Sequence, residues 1–557
     1  MENNTRLSEL LFKHIDKTPD YWEEFYPTRA LGSGAAVTRL GPSPTGFIHL
    51  GNLYTAFMNE KLSTQTDGIF YLRIEDTDEK REVEGAVESL ISTLDFFGID
   101  FDEGATTDGG KGDYGPYYQS ERREIYQTYV KELVLQGKAY PCFLTEDEIG
   151  KIRQEQESLK LTPGIYGKWA KCRDIGFDEI KERIDAGDEY VIRLKSHGDP
   201  EKSFEIEDAI RGKISMPENE MDVVLLKSSG LPTYHLAHVI DDHLMRTTHV
   251  FRGEEWLSSL PIHVALSDAL SIELPIYCHT SVLMKTENGT KRKLSKRKDP
   301  ELSLEYYKSD GYHPKAISEY LMTIINSNFE EWRTENPSAS IDEFIMTTDK
   351  MGHSGILFDL EKLIDVSKET LVRIPAREIA DFIMDWAAEY EPGKAGIMTE
   401  INNGIYTKEY LVNALDIGRS GDKPRKDLAF AKQIVEFISY FYDELFKIEN
   451  ELPVNMKKED VPVILNEYLT SYDRNDPRDI WFDKIRTITE RNGYAVKPKD
   501  FKKNPDSFKG HVGDVSGVIR LAVVGRSNSP DIWEIQQILG EERTRARIKN
   551  LINLFSD

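Results

Sequence analysis

The sequence predicts an α/β fold in which a parallel sheet carries an inserted α+β domain and is followed by an all-α C-terminal half. Two observations predict the sheet: a β-type segment at 35–38 leads through a glycine/proline-rich loop into a helical pattern after Asn52, and an apolar strand covers 69–74. This order of elements is typical of parallel βαβ units. A third observation is the helical periodicity from Pro300 to the end of the chain.

Length, composition and charge limit the function classes. The 557 residues exceed one compact core, 39% are apolar and 30% are charged, so several globular domains are expected. A net charge of −26 argues against a general nucleic-acid binder, although an acidic protein can carry a local basic face. No apolar run reaches the length of a membrane span, and the start does not resemble a signal peptide. We therefore expect a cytoplasmic protein without a membrane segment.

The cysteines exclude two further classes. Cys142, Cys172 and Cys278 are the only three, far apart and odd in number. This excludes a disulfide framework and a multi-cysteine zinc site, and it fits a reducing cytoplasm.

The loop between the first strand and the first helix is the most informative stretch. It reads V-T-R-L-G-P-S-P-T-G-F-I-H-L-G-N over residues 37–52, with Arg39 delivered to the strand end. A helix start offers free N–H groups to an anion, and a neighbouring glycine lets a phosphate approach closely. A plain connection between strand and helix is the alternative.

The elements on either side of this loop are simpler. Residues 1–34 contain one amphipathic helix and are predicted to pack on the body as an extension. The strand at 69–74 ends at Glu75, where open α/β sheets bind ligands, and Asp78 is predicted to cap a helix over Lys80–Phe97. Residues 117–220 form the predicted insertion, with one strand at 190–195, and the sheet is expected to resume at 221–227.

Four histidines fall between 235 and 249. Zinc is one interpretation, because His235 with His238, or His238 with Asp242, has helical ligand spacing. No third ligand of the right kind is evident, so a polar pocket wall is favoured and no metal site is predicted.

Two basic stretches follow. Residues 291–298 hold six cations, which a solvated loop could also explain. Residues 484–511 hold eight cations against three anions, with Tyr494, Phe501 and Phe508 among them, as phosphate contact and base stacking require. A solvated lysine face is the alternative. The cations are Lys484, Arg486, Arg491, Lys497, Lys499, Lys502, Lys503 and Lys509.

Two of these motifs carry a resemblance to a known family. The G-P-S-P-T-G-F-I-H-L-G-N loop resembles the HIGH signature of class I aminoacyl-tRNA synthetases in its glutamyl/glutaminyl form, with Asn52 at the second histidine. Lys293-Leu294-Ser295-Lys296-Arg297, about 240 residues downstream, resembles their KMSKS signature. The chain as a whole resembles the bacterial-type glutamyl-tRNA synthetases.

The resemblance implies a Rossmann-type catalytic domain in two halves, at 35–116 and 221–290. It further implies an acceptor-binding insertion at 117–220, a stem-contact domain at 291–373 and a helical anticodon-binding domain at 374–557. The implied partners are L-glutamate, tRNA-Glu and ATP with Mg²⁺, and a monomer without structural zinc is expected.

The resemblance also implies roles for individual residues. His49, Asn52, Lys293 and Lys296 would serve catalysis. ATP would contact these four together with Gly51, Glu255, Leu283 and Ser295. Glutamate would contact Arg39, Gly41, Ser43, Glu75, Tyr234, His238 and Arg252.

The chain departs from the family pattern at three places. His238 stands where relatives often have asparagine, and its cysteines cannot form the zinc knuckle of some relatives. Asp365 and Ser367 replace a tryptophan and an asparagine of the stem-contact domain.

Several other functions share some of these features. A glutaminyl-tRNA synthetase or an enzyme that also charges tRNA-Gln is nearest, but glutaminyl enzymes end in β-barrels. A truncated relative that glutamylates a tRNA base lacks the C-terminal half. A nucleotidyltransferase of the same fold would be short, and a non-enzymatic RNA-binding paralogue has no need of His49, Lys293 and Lys296.

Overall fold

The computed structural model describes residues 2–44, 48–78, 83–399, 406–419 and 424–556. The chain divides into two compact units, one of Met1–Tyr306 with Ser318–Leu360 and one of Tyr307–Ile317 with Glu361–Asp557. None of the helices in these ranges combines the length and apolar character needed to cross a lipid bilayer.

The first unit is α/β up to residue 293. Its elements are α1 (Glu2–Leu11), α2 (Pro19–Phe25), β1 (Val37–Leu40), α3 (Leu50–Gln65), β2 (Ile69–Leu72), α4 (Ala86–Phe96), β3 (Glu103–Thr106), β4 (Gly109–Lys111), α5 (Arg123–Leu135), β5 (Ala139–Cys142), α6 (Glu146–Ser158), α7 (Phe177–Asp185), β6 (Val191–Leu194), β7 (Ser203–Asp208), β8 (Gly212–Pro217), β9 (Val224–Leu226), α8 (Tyr234–Leu244), β10 (His249–Gly253), α9 (Leu260–Leu270), β11 (Ile276–Thr280), β12 (Leu283–Glu287) and β13 (Thr290–Lys293).

The parallel sheet is confirmed. Strand β1 pairs with β2 in parallel, and β2 with β3, while β10 pairs with β11 in parallel. The Thr248 N–H, just before β10, donates to the Val37 carbonyl at 2.9 Å, so β10 lies beside β1. The carboxyl ends of these strands therefore meet at one edge, where α/β sheets bind ligands.

Strand β9 corrects one prediction. A strand does occupy Val224–Leu226, but it pairs antiparallel with β6 of the insertion, so the parallel sheet does not resume there. A short apolar run predicts a buried strand without specifying its partner. The parallel sheet continues instead at β10.

The range 117–220, predicted as the insertion, has more strands than the one expected, and its strand β7 pairs in parallel with β11. Strands β7 and β8 form an antiparallel hairpin, and β5 pairs with β6. Phe204 and Ile206 alternate with charged residues along β7, a period-2 signal that the charged composition of the segment obscured.

One predicted helix begins later than expected, and the N-terminal segment contains one helix more than expected. The helix predicted over Lys80–Phe97 begins at Ala86, and its predicted start falls on 79–82, outside the described residues. The N-terminal segment has a second helix, α2, which starts at Pro19. Trp22 of α2 donates from Nε1 to Thr128 of α5 at 3.2 Å, so this segment packs on the body.

The helical C-terminal half is confirmed. The remaining elements are α10 (Leu304–Asp310), α11 (Pro314–Ile325), α12 (Phe329–Glu335), β14 (Ile356–Leu357), α13 (Leu360–Arg373), α14 (Ala376–Tyr390), α15 (Pro392–Thr399), α16 (Lys408–Asp416), α17 (Ala431–Ile438), α18 (Asp460–Ser471), α19 (Arg478–Arg491), α20 (Pro498–Lys503), α21 (Val512–Val524), α22 (Ile532–Leu539) and α23 (Glu541–Ser556).

The described helices of the second unit pack around a shared apolar core. Ile383, Ile434, Ile464, Val518 and Leu551, each from a different helix, are all fully buried in it. The Ser367 hydroxyl is also buried and donates to the Ala429 carbonyl at 2.5 Å, so this substituted position serves packing.

Candidate active site

A cavity of about 470 Å³ lies in the first unit, at the carboxyl ends of its parallel strands. Strands β1 and β10 each end in it, and helix α3 starts from its wall. Twelve of the fifteen residues predicted for the site line this cavity: Arg39, Gly41, His49, Gly51, Asn52, Glu75, Tyr234, Arg252, Glu255, Leu283, Lys293 and Lys296.

Arg39 is held in place from behind. Its Nε and Nη2 donate to the two carboxylate oxygens of Asp242, each at 3.2 Å, and Nη2 lies 3.2 Å from Nδ1 of His238. A bidentate pair of this kind fixes both the position and the plane of a guanidinium. Burial alone would lower the pKa of Arg39, but the charges of Asp242 and Glu75 and the hydrogen bonds to Asp242 together raise it. Arg39 therefore stays charged.

Glu75 lies beside this pair and is held by a second arginine. Arg73, which is fully buried, bonds Glu75 Oε1 at 3.0 Å through Nη2 and Asp242 at 2.6 Å through Nη1. Burial raises the pKa of Glu75, and the charges of Arg73 and Arg39 offset part of that rise. A Cβ on Gly41 would stand 2.5 Å from Glu75 Oε1, so a larger residue there would displace the Glu75 carboxylate.

Arg252 lies at the end of β10 among aromatic rings. Its Nε donates to Nε2 of His279 at 2.9 Å, and its Nη1 lies 3.5 Å from the Tyr234 hydroxyl. The Tyr277 ring packs against the guanidinium at 4.5 Å. No Asp or Glu forms an ion pair with Arg252 within the described ranges. Its Nη2 atom is buried without a hydrogen-bond partner.

The other end of the cavity suits phosphate. His49 is the N-cap residue of α3, and its backbone N–H donates to Asn52 Oδ1 at 3.1 Å. Burial and the Lys296 charge lower the pKa of His49, and its Nδ1 atom is buried without a partner. Lys293 and Lys296 line the same end, and both side chains are exposed. Residues 45–47 of the loop lie outside the described part of the chain.

The 291–298 stretch is a strand end and a tight loop. Strand β12 pairs antiparallel with β13, which ends at Lys293. Asp299 accepts from Arg292 at 2.6 and 2.8 Å and from the Ser295 N–H at 2.9 Å. The loop is thus anchored at both ends while Lys296 remains free to face the cavity.

Three predicted residues do not line the cavity. Ser43 is exposed to solvent. The backbone N–H of Ser295 donates its hydrogen bond to Asp299, as described above. His238 is fully buried behind Arg39, with Nε2 at 3.1 Å from the Tyr277 hydroxyl. Burial, together with the charges of Arg252 and Arg39, lowers the pKa of His238 well below its usual value, so it is neutral.

The sequence predicts no substrate-binding role for five buried residues that organise the site: Arg73, Asp208, Asp242, His263 and His279. Arg73 precedes Glu75 by two positions on the same strand, and Asp242 lies one turn after His238, so their spacing could have indicated them. Asp208 and His279 are 71 residues apart and carry no such signal.

The basic stretch at 484–511 includes one correction. Tyr494 is 1% exposed and donates to Asp460 at 2.9 Å, so it cannot stack on a base. Lys484 and Lys509 pair with Asp476 and Asp460, respectively. The cations that remain exposed around α20 are Lys497, Lys499, Lys502 and Lys503.

Two family models match the chain. The model for "tRNA synthetases class I (E and Q), catalytic domain" matches residues 35–355, and the "Anticodon binding domain" model matches residues 499–552. The first covers the whole cavity described above, and the second covers helices α21 and α22.

Whole-chain relatives agree with these matches. The chain is 57% identical over 548 residues to the glutamate--tRNA ligase of Acetivibrio thermocellus, covering 98% of this chain and 99% of the relative. It is 48% identical to the glutamate--tRNA ligase of Clostridium perfringens over 98% and 99% of the two chains. The crystal structure of the glutamate-tRNA synthetase from Elizabethkingia anophelis superposes with a TM-score of 0.72 at 28% identity, covering 93% of this chain and 99% of that one.

Proposed function

This chain belongs to the class I tRNA synthetases of the E and Q type, and we propose that it is a glutamate--tRNA ligase. It would activate L-glutamate with ATP and transfer it to the 3′ end of tRNA-Glu for protein synthesis. No comparison favours the glutaminyl alternative, since the relatives described above are named for glutamate.

One observation carries the proposal: Arg39, Arg252 and Glu75 meet in one cavity. Glutamate carries two carboxylates and one ammonium, so it needs two cationic partners and one anionic partner. Arg39 and Arg252 supply the two guanidinium groups, and Glu75 supplies the carboxylate. Glutamine has one carboxylate fewer and would leave one buried arginine without its partner, which is costly.

The opposite end of the cavity fits the phosphates of ATP. Lys293 and Lys296 provide positive charge, and His49, neutral because its pKa is lowered, provides a hydrogen-bonding nitrogen. Glu255 and Leu283 line the wall on which the nucleoside would rest. Mg²⁺ would arrive bound to the ATP phosphates.

The reaction has two steps. The α-carboxylate of glutamate attacks the α-phosphorus of ATP, which forms glutamyl-adenylate and releases pyrophosphate. The terminal ribose hydroxyl of the tRNA then attacks the acyl carbon, which forms glutamyl-tRNA and releases AMP. Neither step needs a protein nucleophile, so the chain acts by positioning its substrates and stabilising phosphate charge. Lys293 and Lys296 would neutralise the departing pyrophosphate.

A charging assay tests the proposal. Purified protein is incubated with ATP, radiolabelled glutamate or glutamine, and either tRNA-Glu or tRNA-Gln. We expect glutamate on tRNA-Glu, and the tRNA-Gln arm reports whether that tRNA is also charged. Charging with glutamine alone, or no charging, would overturn the proposal. We also propose that the protein acts as a monomer in the cytoplasm. Sedimentation of the purified chain measures its oligomeric state.

A further inference from the structure

Arg252 contacts a buried pair, Asp208 and His279, and neither member of the pair lines the cavity. We propose that this pair sets the position of Arg252 without neutralising it, and so determines how tightly the site holds a substrate carboxylate. The inference rests on the proposed function, because it takes glutamate as the molecule that Arg252 binds.

The hydrogen bonds of the pair leave one arrangement of protons. Nδ1 of His279 lies 2.6 Å from Oδ2 of Asp208, and Nε2 accepts from Nε of Arg252 at 2.9 Å. An ionised carboxylate only accepts and a guanidinium only donates. His279 must therefore carry its proton on Nδ1 and present the lone pair of Nε2 to Arg252.

Asp208 is built to remain an acceptor. It accepts the N–H groups of Ile210 and Arg211, at 3.0 and 2.9 Å, and that of His279 at 3.1 Å. Burial would raise the pKa of Asp208, but these hydrogen bonds and the His279 ring lower it. The carboxylate therefore stays ionised and keeps the His279 ring in one orientation.

The two substrate-facing arginines differ in their partners. Arg39 is paired with the Asp242 carboxylate, which already balances its charge. Arg252 is fixed by a neutral ring, because burial lowers the pKa of His279 despite the opposing effect of Asp208. Among the described residues no carboxylate pairs with Arg252, and its Nη2 is buried without a partner. A substrate carboxylate would supply the missing counter-charge.

The pair also connects the insertion with the cavity. Asp208 is the last residue of β7, and Arg211 lies in the turn that follows it. Arg211 donates to the His279 carbonyl at 3.0 Å and to Glu254 at 2.6 Å. The turn that follows β7 thus contacts both His279 and Glu254, and Glu254 precedes Glu255 of the cavity wall.

Two substitutions of His279 separate positioning from packing. In His279→Gln the amide oxygen reaches about as far as Nε2 and can still accept from Arg252. In His279→Asn the amide nitrogen can replace Nδ1 toward Asp208, but nothing accepts from Arg252. We expect His279→Asn to raise the KM for glutamate about tenfold or more, and His279→Gln to stay within about threefold of wild type. The KM for ATP should change less than about twofold in both.

Asp208→Asn gives an independent readout. An amide nitrogen at the Oδ2 position would donate to His279, shift its proton to Nε2 and place two donors against each other at Arg252. We expect this variant to raise the KM for glutamate about tenfold as well. If His279→Asn does not fold, Asp208→Asn tests the inference through its KM for glutamate and its KM for ATP. Thermal unfolding measurements show whether each variant folds.

The outcomes separate the inference from the proposed function. If wild-type protein does not charge tRNA with glutamate, the proposed function fails and the inference with it. If wild type is active, the inference is overturned when His279→Gln raises the KM for glutamate as much as His279→Asn does, or when the KM for ATP rises as much as the KM for glutamate. It is also overturned when neither His279→Asn nor Asp208→Asn alters the KM for glutamate. Failure of both to fold would assign the pair to stability and also overturn it.

Discussion

Both carboxylate oxygens of Asp242 accept hydrogen bonds from Arg39, one from Nε and one from Nη2, at 3.2 Å each. The same carboxylate accepts from Arg73, which in turn bonds Glu75. The cation and the anion proposed to bind the two ends of an amino acid are therefore parts of one hydrogen-bonded network. Such a network is preorganised, and substrate binding does not have to order it.

Replacing Arg39 tests the carboxylate site. Arg39→Ala should lower kcat/KM for glutamate about 10²–10³-fold, because a buried carboxylate of the substrate would be left without its partner. Arg39→Lys keeps the charge but loses the two-point contact, so its loss should be smaller yet clear. Charging kinetics across glutamate concentrations measure both, and activity of Arg39→Ala within a few-fold of wild type would refute the assignment.

The pH dependence of glutamate binding tests Glu75. Only the ionised carboxylate can hold an ammonium group, and burial raises the pKa of Glu75, so protonation begins at a higher pH than for an ordinary carboxyl. The KM for glutamate should therefore rise as the pH falls through the raised pKa of Glu75, by up to about tenfold per pH unit below it. Glu75→Gln should have a high KM that does not vary over this range. A wild-type KM for glutamate that is flat with pH would contradict the role.

The Lys296 side chain should act on chemistry. Lys296→Ala should lower kcat about 10²–10³-fold, as expected when one charge partner of a transition state is lost, with little change in the KM for tRNA. Lys298 is exposed on the same loop but does not line the cavity, so Lys298→Ala is the matched control and should remain near wild type. Equal losses in the two variants would show that loop charge alone matters.

The exposed lysines of α20 should act on tRNA affinity. Replacing Lys499, Lys502 and Lys503 together with glutamine should raise the KM for tRNA and reduce its salt dependence, by about one unit of slope for each lost phosphate contact. Lys447, Lys457 and Lys458, replaced together, are an equally exposed control set. If the α20 variant keeps the wild-type KM and slope, the cluster is a solvated face.

Metal content tests the interpretation of the 235–249 histidines. Nδ1 of His235 lies 3.2 Å from Nε2 of His263, and both nitrogens of His238 have partners in Arg39 and Tyr277. We therefore expect no stoichiometric zinc in the purified protein. Elemental analysis that finds about one tightly bound zinc per chain would contradict this.

Much of the site could be predicted because its signals are local. Strand β1, the loop and the start of α3 lie within a single short stretch, and both His49 and Lys296 belong to motifs read in order along the chain. The partners of these residues could not be predicted in the same way. Asp208 and His279 are far apart in sequence, and Tyr494 was expected at a basic surface but is buried against Asp460.

The sequence alone predicts strand β1 and the loop that follows it, the helical C-terminal half and the chemical types of residue at the cavity, since periodicity and turn residues act over a few positions. The tertiary structure decided that β9 joins the insertion rather than the parallel sheet, and that Arg39 is balanced by a carboxylate whereas Arg252 is held by a neutral ring. The physical reason is that strand pairing and burial depend on which distant elements pack together, and a buried charge takes its properties from those neighbours.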